Sequence, residues 1–177
     1  MAERVIEDPA LRQRYSFSRS TEPNGEVLHV DTWVDPGGGV TPHVHPAMEE
    51  RFHVLEGRPS FLAGKEWRTA APGDEVVVPA GVRHAYRNDT GEPAQMRCDV
   101  RPPGSLQAFL EEVAELSQAG LISRRGLPTR PSALVRAAAL AERHRDMVTL
   151  GFPPMPPRLV QRLLFPPLAA LARRRDA

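Results

Sequence analysis

His43 and His45 stand one residue apart in the run Thr41-Pro42-His43-Val44-His45. In an extended chain, residues two apart point to the same face. Their imidazoles therefore project together, the arrangement needed to place two nitrogen ligands on one ion. Four residues later comes Glu49-Glu50, a spacing that leaves room for a tight turn into a following strand. Glu50 shares strand parity with the apolar Phe52 and Val54, whereas Glu49 shares it with Arg51 and His53. The inward carboxylate is therefore Glu50. Downstream, Glu75-Val76-Val77-Val78 reads as a strand and Pro79-Ala80-Gly81 as a turn into the next strand, which places His84 just after the turn. Three histidines and one carboxylate form a nitrogen–oxygen donor set. Such a set suits one divalent transition metal ion (Fe, Mn, Ni, Cu, Co or Zn) far better than calcium or magnesium.

Around these ligands the same parity argument selects a pocket. Tyr86 has the parity of His84, and Phe52 that of Glu50. Met96 and Cys98 alternate with Val100 on a late strand. Phe52, Tyr86, Met96 and Cys98 are therefore the expected substrate-pocket residues, in keeping with the apolar lining of most small-molecule sites. His29, His53 and His144 belong to no spaced cluster and are expected to be surface or hydrogen-bonded histidines. Cys98 is the only cysteine, which rules out an intramolecular disulfide and a thiolate zinc site.

The elements that must position these side chains are short. Val-, Phe-, Trp- and Tyr-rich segments near 14–19, 26–35, 41–46, 50–56, 59–63, 66–70, 75–79, 83–88 and 94–101 alternate with Gly, Pro, Asn and Asp turns. Closely spaced strands of this kind build an all-β sandwich or barrel. The pattern changes at Pro102-Pro103. Leu106, Phe109, Leu110, Val113 and Leu116 then recur at helical spacing, with Ser105 as a candidate N-cap and Gly120 as a stop. A second helix is expected from 132 to about 149, with Leu134, Val135, Ala138, Leu140 and Ala141 on its buried side. A proline-rich break follows at 151–157, and a helix-like segment at 158–175 is interrupted by Pro166-Pro167. The organisation expected is mainly β over 1–102, with a C-terminal α-helical extension over 103–177.

Composition narrows the classes. The 177 residues carry a net charge of +1, and no basic stripe or helix-turn-helix pattern argues for nucleic acid. No run of about 18 apolar residues would span a membrane. The first residues resemble no signal peptide, so a cytoplasmic location is expected.

Both blocks now have a parallel. Gly37, His43, His45, Glu50 and Gly57 fill the motif G-x5-H-x-H-x4-E-x6-G, and Gly73, Pro79, Gly81, His84 and Asn88 fill G-x5-P-x-G-x2-H-x3-N, both without a gap. Over about residues 25–101 the chain resembles the cupin superfamily, in the form of a small bacterial single-domain cupin. The resemblance implies a double-stranded β-helix, the cupin jelly-roll barrel. It implies metal ligation by His43, His45, Glu50 and His84 in the barrel mouth, and a homodimer. Glu50 would act as the catalytic proton acceptor on leaving the ion, as proposed for quercetinase-like cupins. Three roles fit such a site: a dioxygenase or other oxidoreductase acting on a small molecule; a non-redox isomerase, cyclase or lyase; and a non-catalytic small-ligand-binding or regulatory protein.

Overall fold

The computed structural model describes residues 4–23, 25–150 and 158–173, with side chains at 159–171 of the last segment. In chain order the strands are β1 (Ile6–Asp8), β2 (Gln13–Glu22), β3 (Gly25–Val34), β4 (His43–Val44), β5 (Glu49–Glu56), β6 (Ser60–Ala63), β7 (Glu66–Thr69), β8 (Glu75–Val78), β9 (His84–Arg87), β10 (Ala94–Arg101) and β11 (Thr149–Leu150). Three helices are α1 (Leu106–Gln118), α2 (Pro131–Arg143) and α3 (Arg158–Arg173).

The strands form two antiparallel sheets, ordered β1-β2-β3-β10-β5-β8 and β11-β4-β9-β6-β7. Strands distant in sequence thus become neighbours, as in a jelly roll. Alternation along the strands decides what lies between the sheets. On β10, Ala94, Met96, Cys98 and Val100 are buried, and on β5 so are Glu50, Phe52 and Val54. Of these, Phe52, Val54, Met96, Cys98 and Val100 meet Tyr15, Leu28, Val34 and Phe61 in one core. Leu106, Met147 and Val148, from beyond Pro103, belong to the same core.

Gly39 shows why the first motif begins in glycines. It has φ +145°, a region open to residues without a side chain. A Cβ there would meet the Tyr86 carbonyl oxygen at 2.4 Å and the Arg87 Cα at 2.7 Å. The chain leading to His43 therefore lies directly on β9, the strand of His84. Asn88 locks the far end of β9. It is fully buried, and its Nδ2 donates to the Val34 and Glu92 carbonyls while its Oδ1 accepts from the Thr90 amide and hydroxyl.

The helical region departs from expectation in three places. α2 ends at Arg143, not near 149. The chain turns at His144, whose carbonyl accepts from the Met147 and Val148 amides, and then adds β11 to the edge of β4. Edge pairing with β4 takes the backbone groups that continued helix would have used. Leu134 is exposed, and Ala133, Ala138 and Leu140 form the buried side of α2. Pro166 and Pro167 lie inside one helix, α3, instead of interrupting it. Each proline removes an amide donor and crowds the carbonyl four residues back, but its fixed φ is helical and α3 continues through both. The proline-rich stretch 151–157 and the segment past 173 lie outside the described residues.

Ser105 precedes α1 but makes no side-chain capping bond. Its hydroxyl instead meets His144 Nδ1 at 2.9 Å. No helix among the described residues is long and apolar enough to cross a membrane.

Candidate metal centre

Four residues from three places in the chain meet inside the barrel. β4 carries His43, His45 follows directly after that strand, β5 carries Glu50, and β9 opens with His84. His43 pairs directly with His84 across the β4–β9 ladder. One ligand atom from each of the four residues lies within 4.8 Å of the others. The imidazole of His43 lies 4.9 Å from that of His45 and 4.1 Å from that of His84, centre to centre. His45, Glu50 and His84 are all buried.

The orientation of the rings is fixed from behind. His43 Nδ1 donates to the Thr41 carbonyl, His45 Nδ1 to the Met147 carbonyl, and His84 Nδ1 to the Val82 carbonyl, each at 2.9 Å. A neutral imidazole that donates from Nδ1 presents its Nε2 lone pair, so all three can offer Nε2 to an ion. Two of the carbonyls are local, two residues before the ring they hold. The third comes from 102 positions away, in the C-terminal extension.

The electrostatics agree with a cation site. Burial pushes the Glu50 carboxyl up, but the close approach of His84 and the neighbouring His45 and His43 outweigh it and bring it down to about 2. Burial and the adjacent His84 and His45 lower His43 to about 3. His45 is also lowered, chiefly by burial. For His84, burial lowers the pKa, but the contact with Glu50 outweighs it and the net direction is upward. A carboxylate and two neutral imidazoles thus stand ready to ligate, and an ion held at His84 Nε2 would displace to solvent the proton that Glu50 favours there. Glu50 Oε2 and His84 Nε2 lie 2.7 Å apart, yet neither has a hydrogen-bond partner of sound geometry. Buried polar atoms are almost always satisfied. An ion bound between them would satisfy both, so the residues present fit a transition metal.

The site forms the floor of a cavity of about 990 Å³. His43, His45 and Glu50 border it, as do Phe52, Tyr86 and Cys98. Met96 does not. It is 1% exposed and pairs with Val54 two steps further down β10, below the level of the pocket, where it fills the closed core. Burial raises the Cys98 thiol well above its ordinary value, so it acts as a small neutral lining group. The Tyr86 hydroxyl donates to Gln13 Oε1 at 2.7 Å, Gln13 bonds Tyr15, and Tyr15 donates to Asp8 at 3.3 Å. That buried row fixes Tyr86 at the cavity wall.

The other histidines are held by partners. His29 lies between Ser20 Oγ (2.8 Å) and Asp99 (2.7 Å), and His53 lies 3.3 Å from Asp99. His144 is buried between Ser105 and Glu112. The Met147 carbonyl and the helical cavity walls escape sequence reasoning. A backbone carbonyl has no residue signature, and the apolar stripe of α1 marks a helix face without showing what it borders.

Residues 32–100 match the family described as Cupin domain. No curated protein matches the chain. Among solved structures, the protein TT1209 of Thermus thermophilus is 26% identical, with 49% of this chain and 81% of that one covered and a TM-score of 0.43. A conserved protein with a double-stranded β-helix domain from Klebsiella pneumoniae is 24% identical, covering 51% and 78%, with a TM-score of 0.44. A cupin 2 conserved barrel domain protein from Rhodopseudomonas palustris is 23% identical, covering 57% and 72%, with a TM-score of 0.49. Two antiparallel sheets in jelly-roll order, both motifs in place and the family match over residues 32–100 together identify a cupin domain in this chain, and that domain carries the four-residue cluster.

Proposed function

We propose that this protein is a metal-dependent small-molecule enzyme of the dioxygenase or oxidoreductase type, working at the His43–His45–Glu50–His84 centre. One observation carries the reading: four converging donors, with two orphaned buried atoms among them, form the floor of a cavity large enough for a substrate. Four protein donors leave one or two positions open on an ion that prefers five or six ligands. A redox-active metal there supplies Lewis-acid polarisation and one-electron chemistry with oxygen.

The remaining work belongs to the chain. The carbonyls of Thr41, Val82 and Met147 hold the three rings in place. Phe52 and Tyr86 exclude water from the floor, which strengthens every charge interaction there. Glu50 is a poor base while His84 and its neighbours hold its pKa near 2. Proton acceptance at Glu50 Oε2 therefore follows its withdrawal from His84, which returns the carboxyl to the higher range that burial favours. Residues 1–102 act as the barrel domain in this reading, and 103–177 as an extension closing its mouth. A homodimer in the cytoplasm completes it.

Binding of nitric oxide to the Fe(II)-loaded protein tests the open position. A half-integer-spin electron paramagnetic resonance signal is expected in near-stoichiometric yield. Loaded iron without that signal would mean that no position is open and would point to a binding or regulatory role. Full turnover with zinc alone would instead assign the site to a non-redox isomerase, cyclase or lyase.

A further inference from the structure

The cavity above the metal centre has walls unlike its floor. α1 turns Phe109, Leu110 and Val113 toward it, and all three are only partly buried. α2 contributes Leu140 and Ala141, and α3 contributes Phe165. α1 itself rests on β1, while α2 packs chiefly against α3. Phe109 and Leu110 pack in part against the barrel core, and the rest of their surface, with Val113 and Leu116, borders the cavity instead of a close-packed neighbour. Protein interiors are normally packed without such gaps, and an apolar face left against a void forfeits its contacts.

Charge on these walls is sparse and largely neutralised. Glu142 and Arg145 pair with each other at 2.8 Å, and Arg145 also approaches Asp146. Arg162 of α3, although exposed, also borders the cavity, so the lining holds two acids and two arginines above the floor: Glu142, Asp146, Arg145 and Arg162. Gln161 is tied to the Leu150 carbonyl at 3.0 Å. At the floor, Glu50 supplies one negative charge, and a bound divalent ion would more than balance it. Selection therefore lies in the walls, where a phosphorylated or polyanionic sugar would meet mostly hydrocarbon. At about 990 Å³ the cavity lies at the upper end of the range for small-molecule pockets.

We infer that the ligand of this cavity is a lipophilic molecule, with a hydrocarbon or aromatic body lying along α1 and α2 and a single oxygen-bearing head reaching the four-residue centre. This rests on the proposed metal reading for the head and on the helical walls alone for the body. The helical extension is then a specificity element: it sets which body is accepted, while the barrel sets the chemistry at the head.

Two hydroxamates separate head from body. Acetohydroxamate carries only the metal-binding head, and octanohydroxamate adds six methylenes. Isothermal titration of both into Co(II)-loaded and metal-free protein measures each part. A fully buried methylene tightens binding about fourfold. Octanohydroxamate should bind the loaded protein on the order of a thousandfold more tightly than acetohydroxamate. Leu110→Arg and the milder Leu110→Gln should erase most of that ratio while cobalt uptake stays unchanged, which shows that the fold persists.

If cobalt is not taken up, the metal reading fails. A preference for the longer chain on the metal-free protein, of tenfold or more and sensitive to Leu110, still supports the apolar cavity. A length preference below tenfold in both forms, or one that both Leu110 variants retain, overturns the inference even if the metal binds.

Discussion

Replacing His144 with alanine should weaken a metal centre that His144 never touches. His144 is buried at the end of α2 and joins three parts of the molecule. Its Nε2 lies 3.2 Å from Glu112 Oε1 on α1, its Nδ1 lies 2.9 Å from the Ser105 hydroxyl, and its ring packs on Phe109. With Glu112 accepting, Nε2 donates and Nδ1 receives the serine proton. The alanine variant loses a neutral hydrogen bond of about 1 kcal/mol and one to a carboxylate of about 1.5–3 kcal/mol. Partial exposure of Glu112 reduces the second, so a total near 3 kcal/mol is expected.

The turn that His144 anchors delivers the Met147 carbonyl to His45 and β11 to β4. With the anchor gone, His45 loses the acceptor that sets its tautomer. Losing such an outer partner lowers metal affinity about 10–100-fold. The assay pairs urea unfolding of the metal-free protein with chelator competition for Co(II). Ser105→Ala, which removes only the hydroxyl, serves as a graded control and should cost about 1 kcal/mol. If His144→Ala loses the expected stability but keeps its metal affinity within about twofold, well short of an outer-partner loss, the barrel alone orients His45 and the coupling argument is wrong.

Gly39→Ala drives a Cβ into the backbone of β9 at φ +145° and should cost about 3 kcal/mol or more, read as a lowered midpoint in urea. An unchanged midpoint would mean that β9 can move aside. Asp99 offers a pH test. Burial raises its pKa, but the hydrogen bond and charge of His29, with His53 beside it, bring it below its ordinary 3.8. A carboxyl depressed in the folded state stabilises above its unfolded pKa and loses that contribution as pH falls through the folded value. The stability gap between the parent and Asp99→Asn should be open near about pH 5, below the ordinary imidazole pKa of about 6.5, and should close as pH falls below 3.8. A gap that stays constant from neutral to acid pH would show that the carboxylate charge is not what stabilises.

Most of the barrel and all four clustered residues could be read from the chain because the code there is local. Strand parity separates Glu50 from Glu49, and a two-residue spacing aligns His43 with His45. Parity gives a face but not a depth, which is why Met96 shares the side of Cys98 and still lies beneath the pocket. β1 and β11 are too short, at three and two residues, to show alternation; β1 exists through pairing with the adjacent β2, and β11 through pairing with the distant β4. The helices were visible as an apolar stripe. Whether that stripe packs or lines a void depends on tertiary placement, and no period encodes it.

Elemental mass spectrometry of protein purified without a histidine tag, beside a His84→Ala variant, tests the central claim most directly. Close to one Fe, Mn, Ni, Cu, Co or Zn ion per chain is expected, falling at least about tenfold in the variant, because His84 supplies one of four ligands and is the close partner of Glu50. A folded parent that contains no transition metal and takes none up from Fe(II), Mn(II), Co(II), Ni(II), Cu(II) or Zn(II) would contradict it. So would a His84→Ala variant that retains its ion.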